Sequence, residues 1–184
     1  MVFEVENLNN ASPATVSRCG IVYVSESDLN WEPLIETWLR DRQETKVYSN
    51  PEESTWINEF MDKYINKTDL FTLLIKQYTY VMYTPPVVRI NQLLNLVTAL
   101  FQPFLEKQEQ LDKNTYEKFF VYAFAWSLGG LFETEEREKF HKYMESRNAP
   151  LPQISAQKMS VDKETVFDYY VDPNTKQWKI WEAE

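Results

Sequence analysis

Between Tyr116 and Leu128 the chain carries Phe119, Phe120, Val121, Ala123, Phe124, Ala125, Trp126 and Leu128, apolar residues that fall on nearly every side of a helix. Such a helix cannot lie on a surface, so other elements must enclose it. The chain supplies them at helical spacing. The most regular runs from about Val87 to Lys107, with Ile90, Leu93, Leu94, Val97, Leu100, Phe101, Phe104 and Leu105 repeating at three and four and Pro103 expected to kink it. Trp31, Leu34, Ile35, Trp38 and Leu39 share one face of a helix that opens at Asn30–Pro33 and ends near Arg42, before a polar loop over 41–50. Pro51–Ser54 starts a further helix whose stripe is Trp56, Ile57, Phe60, Met61 and Tyr64. Thr68 or Asp69 caps another through Leu70, Phe71, Leu73, Leu74 and Ile75, continued by Tyr78, Tyr80 and Tyr83 and stopped by Pro85–Pro86.

Thr115 is expected to cap the enclosed helix. After Gly129–Gly130 a charged helix follows from Glu133 to about Arg147, with Phe140, Tyr143 and Met144 inward and the pairs Glu135/Lys139 and Glu138/Lys142 outward. His141, with no second ligand nearby in sequence, reads as a surface or half-buried histidine. A Pro-marked linker spans 148–162. The chain then alternates as a hairpin: Thr165–Val171, a turn at Asp172–Lys176, and Gln177–Trp181, with Val166, Asp168 and Tyr170 on one side and Phe167, Tyr169 and Val171 on the other. That stretch is too short to form a peptide-binding pocket by itself. Two further strand-like runs, Met1–Val5 and Ile21–Val24, lack neighbours to complete a sheet.

Between those two runs stands Ala11–Gly20. Ser12 can cap a single helical turn with Pro13 inside it, which leaves Arg18 at its edge and Cys19 packed as a small apolar residue behind it. A guanidinium keeps its charge, and its planar fork fits phosphoryl oxygens. The plain reading of Arg18 is a salt bridge to a neighbouring carboxylate.

Composition narrows the function classes. A formal net charge of -9 disfavours nucleic acid and anionic membranes as partners. One cysteine and one histidine allow no internal disulfide and make a zinc site unexpected, so no metal site is assigned and a reducing compartment fits. Met1 is not followed by a charged-then-apolar leader, and no apolar run is long enough to span a bilayer, so an unsecreted, non-membrane chain is expected. With three glycines there is no Gly-x-x-x-x-Gly-Lys-Ser/Thr loop to cradle phosphates. No catalysis is expected from this chain alone.

The segment Ser12-Pro13-Ala14-Thr15-Val16-Ser17-Arg18-Cys19-Gly20 with its following apolar run resembles dynein heavy chains, in the second AAA+ module of the motor ring. Val2–Leu8 resembles the strand and loop just upstream there, and Ser17-Arg18-Cys19 also resembles the arginine-finger motif of clamp-loader ATPases. Phe120–Gly130 and the Val166-Phe167-Asp168-Tyr169 and Trp178-x-x-Trp181 pattern resemble the same family's module and the connector toward the third module. The implied fold is mainly α: the remnant of an AAA+ α/β large subdomain with late strands and an arginine-finger turn (1–25), an all-α lid (26–148), and a linker with a C-terminal β-hairpin (149–184).

The resemblance implies a piece of an ATP-driven, minus-end-directed microtubule motor. Arg18 would be an arginine finger acting in trans on the nucleotide of the preceding module, and the lid would relay nucleotide state around the ring. ATP or ADP with Mg would be bound only in the full ring, none by this chain alone. Its partners would be the neighbouring AAA+ modules of the same heavy chain, and microtubules and other dynein subunits through the parent. The location would be cytoplasmic or cytoskeletal, and Ser12–Pro13 leans toward axonemal dyneins. Where active AAA+ modules carry a basic sensor residue, this chain has Phe119, Phe120 and Val121, with Lys118 the basic group nearby and the candidate nucleotide contact. Arg89-Ile90-Asn91-Gln92-Leu93 resembles the family's helix start, with Arg89 solvated. Two alternatives stand beside this reading: an acidic helical adaptor without ATPase activity, and a late module of another AAA+ ring such as a clamp loader or the ribosome-maturation ATPase.

Overall fold

A computed structural model describes residues 4–22, 31–45, 51–65 and 77–181. The chain divides into two compact units, Met1–Asn30 and Trp31–Glu184. In the first, α1 spans Pro13–Arg18, and Ser12 Oγ accepts from the Thr15 N–H at 3.2 Å as the residue types predict. Of the two expected strands, residues 1–3 and 23–24 lie outside the described residues. Glu4, Val5, Ile21 and Val22 form no strand, and no backbone partner for them is present among the described residues.

In the second unit the helices are α2 (Glu32–Thr45), α3 (Glu53–Tyr64), α4 (Pro86–Glu106), α5 (Lys113–Gly129) and α6 (Thr134–Ser146). As its composition demands, α5 is the enclosed one: Tyr116, Phe119, Phe120, Val121, Ala123, Phe124, Ala125 and Leu128 are all buried. Its neighbours meet it ring to ring. Phe101 of α4 stacks on Tyr116 at 3.8 Å between centroids, Phe60 of α3 lies 5.4 Å from Phe120, and Phe140 of α6 lies 5.9 Å from Phe124. Aromatic pairs of this kind contribute about 0.5–1.5 kcal/mol each beyond the burial of their area. The α3 stripe is buried as its periodicity predicts; of the α2 stripe Ile35 and Leu39 are buried and Trp31, Leu34 and Trp38 half-buried, and α2 is tied on by Trp38 Nε1 donating to Thr98 Oγ1 of α4 at 3.1 Å. The helix expected over 70–75, with Thr68 or Asp69 as its cap, lies outside the described residues.

Several boundaries differ from expectation for identifiable reasons. Helix α2 continues to Thr45, whose hydroxyl donates to the Asp41 carbonyl at 2.6 Å. Asp112, not Thr115, caps α5: its carboxylate accepts from the Thr115 N–H at 3.1 Å and the Thr115 hydroxyl at 2.6 Å, the geometry in which aspartate is a favoured cap. Tyr80 does not continue a helix. It forms an antiparallel bridge with Phe132, flanked by Val81 N–H donating to Leu131 O at 3.0 Å. Lys139 pairs with Glu136 at 2.8 Å in place of Glu135, while Lys142 pairs with Glu138 at 2.6 Å as the spacing predicts.

The segment after α6 contains a π-helical turn at Lys158–Asp162, a 3-10 turn at Val166–Asp168, and the antiparallel strands β1 (Tyr169–Val171) and β2 (Trp178–Ile180), with Tyr169 opposite Ile180 and Val171 opposite Trp178. The expected strand is therefore shortened at its start. The Thr165 hydroxyl accepts from Phe167 N–H at 3.3 Å while Asp168 accepts from Thr165 N–H at 2.7 Å, and this reciprocal box curls 165–168 so that Val166 and Phe167 are both buried rather than alternating.

Candidate functional site

Arg18 ends α1 and is exposed, and none of the carboxylates among the described residues pairs with it. The turn that presents it is held by the Ser12 cap and by Ser17 Oγ donating to Ala14 O at 3.2 Å. Cys19 is exposed rather than packed behind the arginine. Its N–H bonds back to Val16 O at 3.4 Å, and α1 has no buried residue for the thiol to pack against.

Lys118 is half-buried on α5, and its ammonium is turned toward the hairpin: it donates to Lys176 O at 3.3 Å and to Gln177 Oε1 at 3.1 Å. The turn it holds is organised by Asp172, whose Oδ1 accepts from Asn174 N–H at 2.8 Å and whose Oδ2 accepts from the Thr175 hydroxyl at 3.0 Å. The Lys179 ammonium bonded to Asp172, then these turn donors, bring the Asp172 carboxyl down to about 2. Lys176, in the left-handed region at φ 58, sends its own ammonium to Glu109, so both sides of the turn are fastened to the loop and helix beneath.

Two residues carry more than their sequence context predicts. Arg89 is not solvated but 2% exposed: its guanidinium lies 3.8 Å over the Tyr80 ring and donates to Thr84 O and Leu128 O, both at 3.2 Å. It thereby joins the start of α4 to the C-terminal turn of α5, where carbonyls lack helical partners. The available signal was its register, since Arg89, Leu93 and Val97 follow one another at four-residue spacing on the buried face. His141 is likewise buried rather than at the surface, with Nδ1 accepting from Val166 N–H at 3.1 Å. Its place beside Phe140 and one turn from Met144 was the cue.

Arg18 and Lys118 belong to different units, Met1–Asn30 and Trp31–Glu184. A shallow concavity between α2 and α3 is lined by Ile35, Met61, Asn58, Glu32, Glu36 and Asp62, and its three carboxylates do not suit phosphate. Lys118, among the described residues, is directed at the hairpin. Among them no group of histidine, cysteine and carboxylate side chains could hold a metal, and no helix is long and apolar enough to cross a membrane.

Comparison with known proteins places this architecture. The family profile of the dynein heavy chain AAA lid domain matches residues 57–183. The dynein gamma chain of the flagellar outer arm from Chlamydomonas reinhardtii is 34% identical over 180 residues, covering 98% of this chain. Dynein axonemal heavy chain 5 of Mus musculus is 33% identical over 184 residues, and dynein axonemal heavy chain 17 of the same organism 35% over 190. In each case this chain spans 4% of the relative's length. An α-helical unit built around an enclosed aromatic helix, a short hairpin fastened to it, and an alignment running through nearly the whole chain agree: the protein belongs to the dynein heavy chain AAA lid domain family.

Proposed function

We propose that this chain works within a dynein ATP-driven, minus-end-directed microtubule motor, as the end of the second AAA+ large subdomain (1–25), its helical lid (26–148), and the connector toward the third module (149–184). The observation that carries the reading is the colinear likeness of 98% of the chain to axonemal dynein heavy chains, at 33–34% identity to two of them. Those relatives' names, with the Ser12–Pro13 pair, also favour a cytoskeletal location in the axoneme. The adaptor reading has no such observation behind it.

Within this reading Arg18 acts in trans, on a nucleotide held by the preceding module. Its support is an exposed guanidinium, without a carboxylate partner among the described residues, at the end of a capped turn. A guanidinium placed there would stabilise charge developing on the transferred phosphoryl group, an effect worth about a thousandfold or more in rate where arginine fingers operate. The lid and connector would pass the nucleotide state to neighbouring modules as rigid-body rotation. In the full-length motor, Arg18→Ala is expected to cut ATP turnover by at least about a hundredfold while leaving nucleotide binding at the neighbouring site intact. Arg18→Lys is expected to rescue it poorly, because an ammonium lacks the planar fork. Turnover near wild type in Arg18→Ala would overturn the finger role and leave the lid assignment standing.

A further inference from the structure

His141 is the chain's single histidine, and it is 1% exposed. Because Nδ1 accepts the Val166 N–H at 3.1 Å, the ring is neutral with its proton on Nε2, which stands 3.7 Å from Glu145 Oε1. Val166 opens the 3-10 turn that seats Phe167 in the helical body. There the Phe167 ring lies 5.7 Å from Trp126, 5.9 Å from Phe140 and 5.3 Å from the Arg137 guanidinium. The imidazole is thus a point at which α6 grips the start of the hairpin segment.

A second proton on this ring must go to Nδ1, the atom that accepts. The Val166 N–H would then face another N–H and lose its acceptor, and a buried cation would be created. Of the charged groups on its own helix, Glu145 favours that cation and Lys142 opposes it. From the hairpin side the facing group is the Val166 amide, and the carboxylate of that turn, Asp168, is already engaged by the Thr165 N–H and hydroxyl at 2.7 and 3.1 Å. Burial holds the ring below the ordinary histidine value, ahead of the opposing Glu145.

We propose that His141 is a proton-sensitive latch: the neutral ring holds the Val166–Asp168 turn on α6, and protonation at Nδ1 releases it. The released state takes up the proton more readily than the latched one. Release is therefore independent of pH above the ordinary histidine value of about 6.5, grows by up to about tenfold per pH unit below it, and levels off once the latched ring itself titrates. The proposal does not depend on Arg18 or on the parent motor.

Amide exchange by NMR on the 184-residue chain tests it, with protection corrected for intrinsic exchange. Protection of the Val166 amide is expected to fall several-fold between about pH 6.5 and 5.5, while that of Phe124 in α5 holds. His141→Asn places a carbonyl oxygen near the Nδ1 position without a titrating group, and is expected to remove the pH dependence. Constant Val166 protection in the wild type, a parallel fall at Phe124, or an unchanged slope in His141→Asn each overturns the latch. Should His141→Asn not fold, the wild-type exchange and the titration of the one imidazole decide: a ring titrating at or above about 6.5 overturns it.

Discussion

At Gly129 there is no room for a side chain. A Cβ there would lie 2.4 Å from Phe167 Cζ and 2.8 Å from Phe132 Cδ2, and neither ring can retreat, because both pack against Phe140. Gly129→Ala is therefore expected to destabilise the chain by about 1–3 kcal/mol, the usual cost of overpacking, read as a lower urea midpoint at unchanged slope. The glycine itself was visible in the sequence, but its reason was not, since Phe167 arrives from far along the chain. The same holds for Arg89 and His141. Local context makes each look solvated or near the surface because its partners, Leu128 O and Val166 N–H, are distant in sequence. Lys118 carried no local sign of the hairpin turn it holds.

Among the elements, those whose signal is local were legible. The stripes of α2, α3 and α4 and the all-round apolar character of α5 follow from side-chain periodicity, and the burial agrees with them. What failed was local polar chemistry that competes with periodicity: the Thr165/Asp168 box that curls the start of an alternating run, and Asp112 taking the cap from Thr115. The end of α4 shows a similar contest. Gln108 sits at φ 53, donating to Leu105 O at 3.0 Å while Glu109 donates to Phe104 O at 2.9 Å, the paired bonds that close a helix through a left-handed residue. Glycine is the residue suited to that conformation, whereas a side chain there costs roughly 1 kcal/mol. Gln108→Gly is expected to raise stability by up to about 1 kcal/mol, and a lower melting temperature in that variant would show that the glutamine makes a compensating contact.

In the molecule as a whole, among the described residues, the hairpin segment is fastened by Val166 on His141, by Trp178 Nε1 donating to Pro150 O at 2.7 Å, and by the turn on Lys118 and Glu109. The acceptors of Lys118 are a carbonyl and a side-chain amide, both uncharged. That arrangement bears on the role which the family resemblance assigns to it. If Lys118 is a tie, Lys118→Ala should loosen the 172–178 region several-fold in amide exchange, the equivalent of one hydrogen bond of about 1 kcal/mol, with protection in α5 unchanged. On the reading proposed above, nucleotide affinity of the second module in the full-length motor should then stay at its wild-type value. If Lys118 instead contacts nucleotide, affinity should fall while the turn keeps its protection, held by Glu109 and Trp178. A fall in both would mean that hairpin docking and nucleotide occupancy compete for one ammonium, making this lysine the point through which the lid's contact with its connector responds to the bound nucleotide.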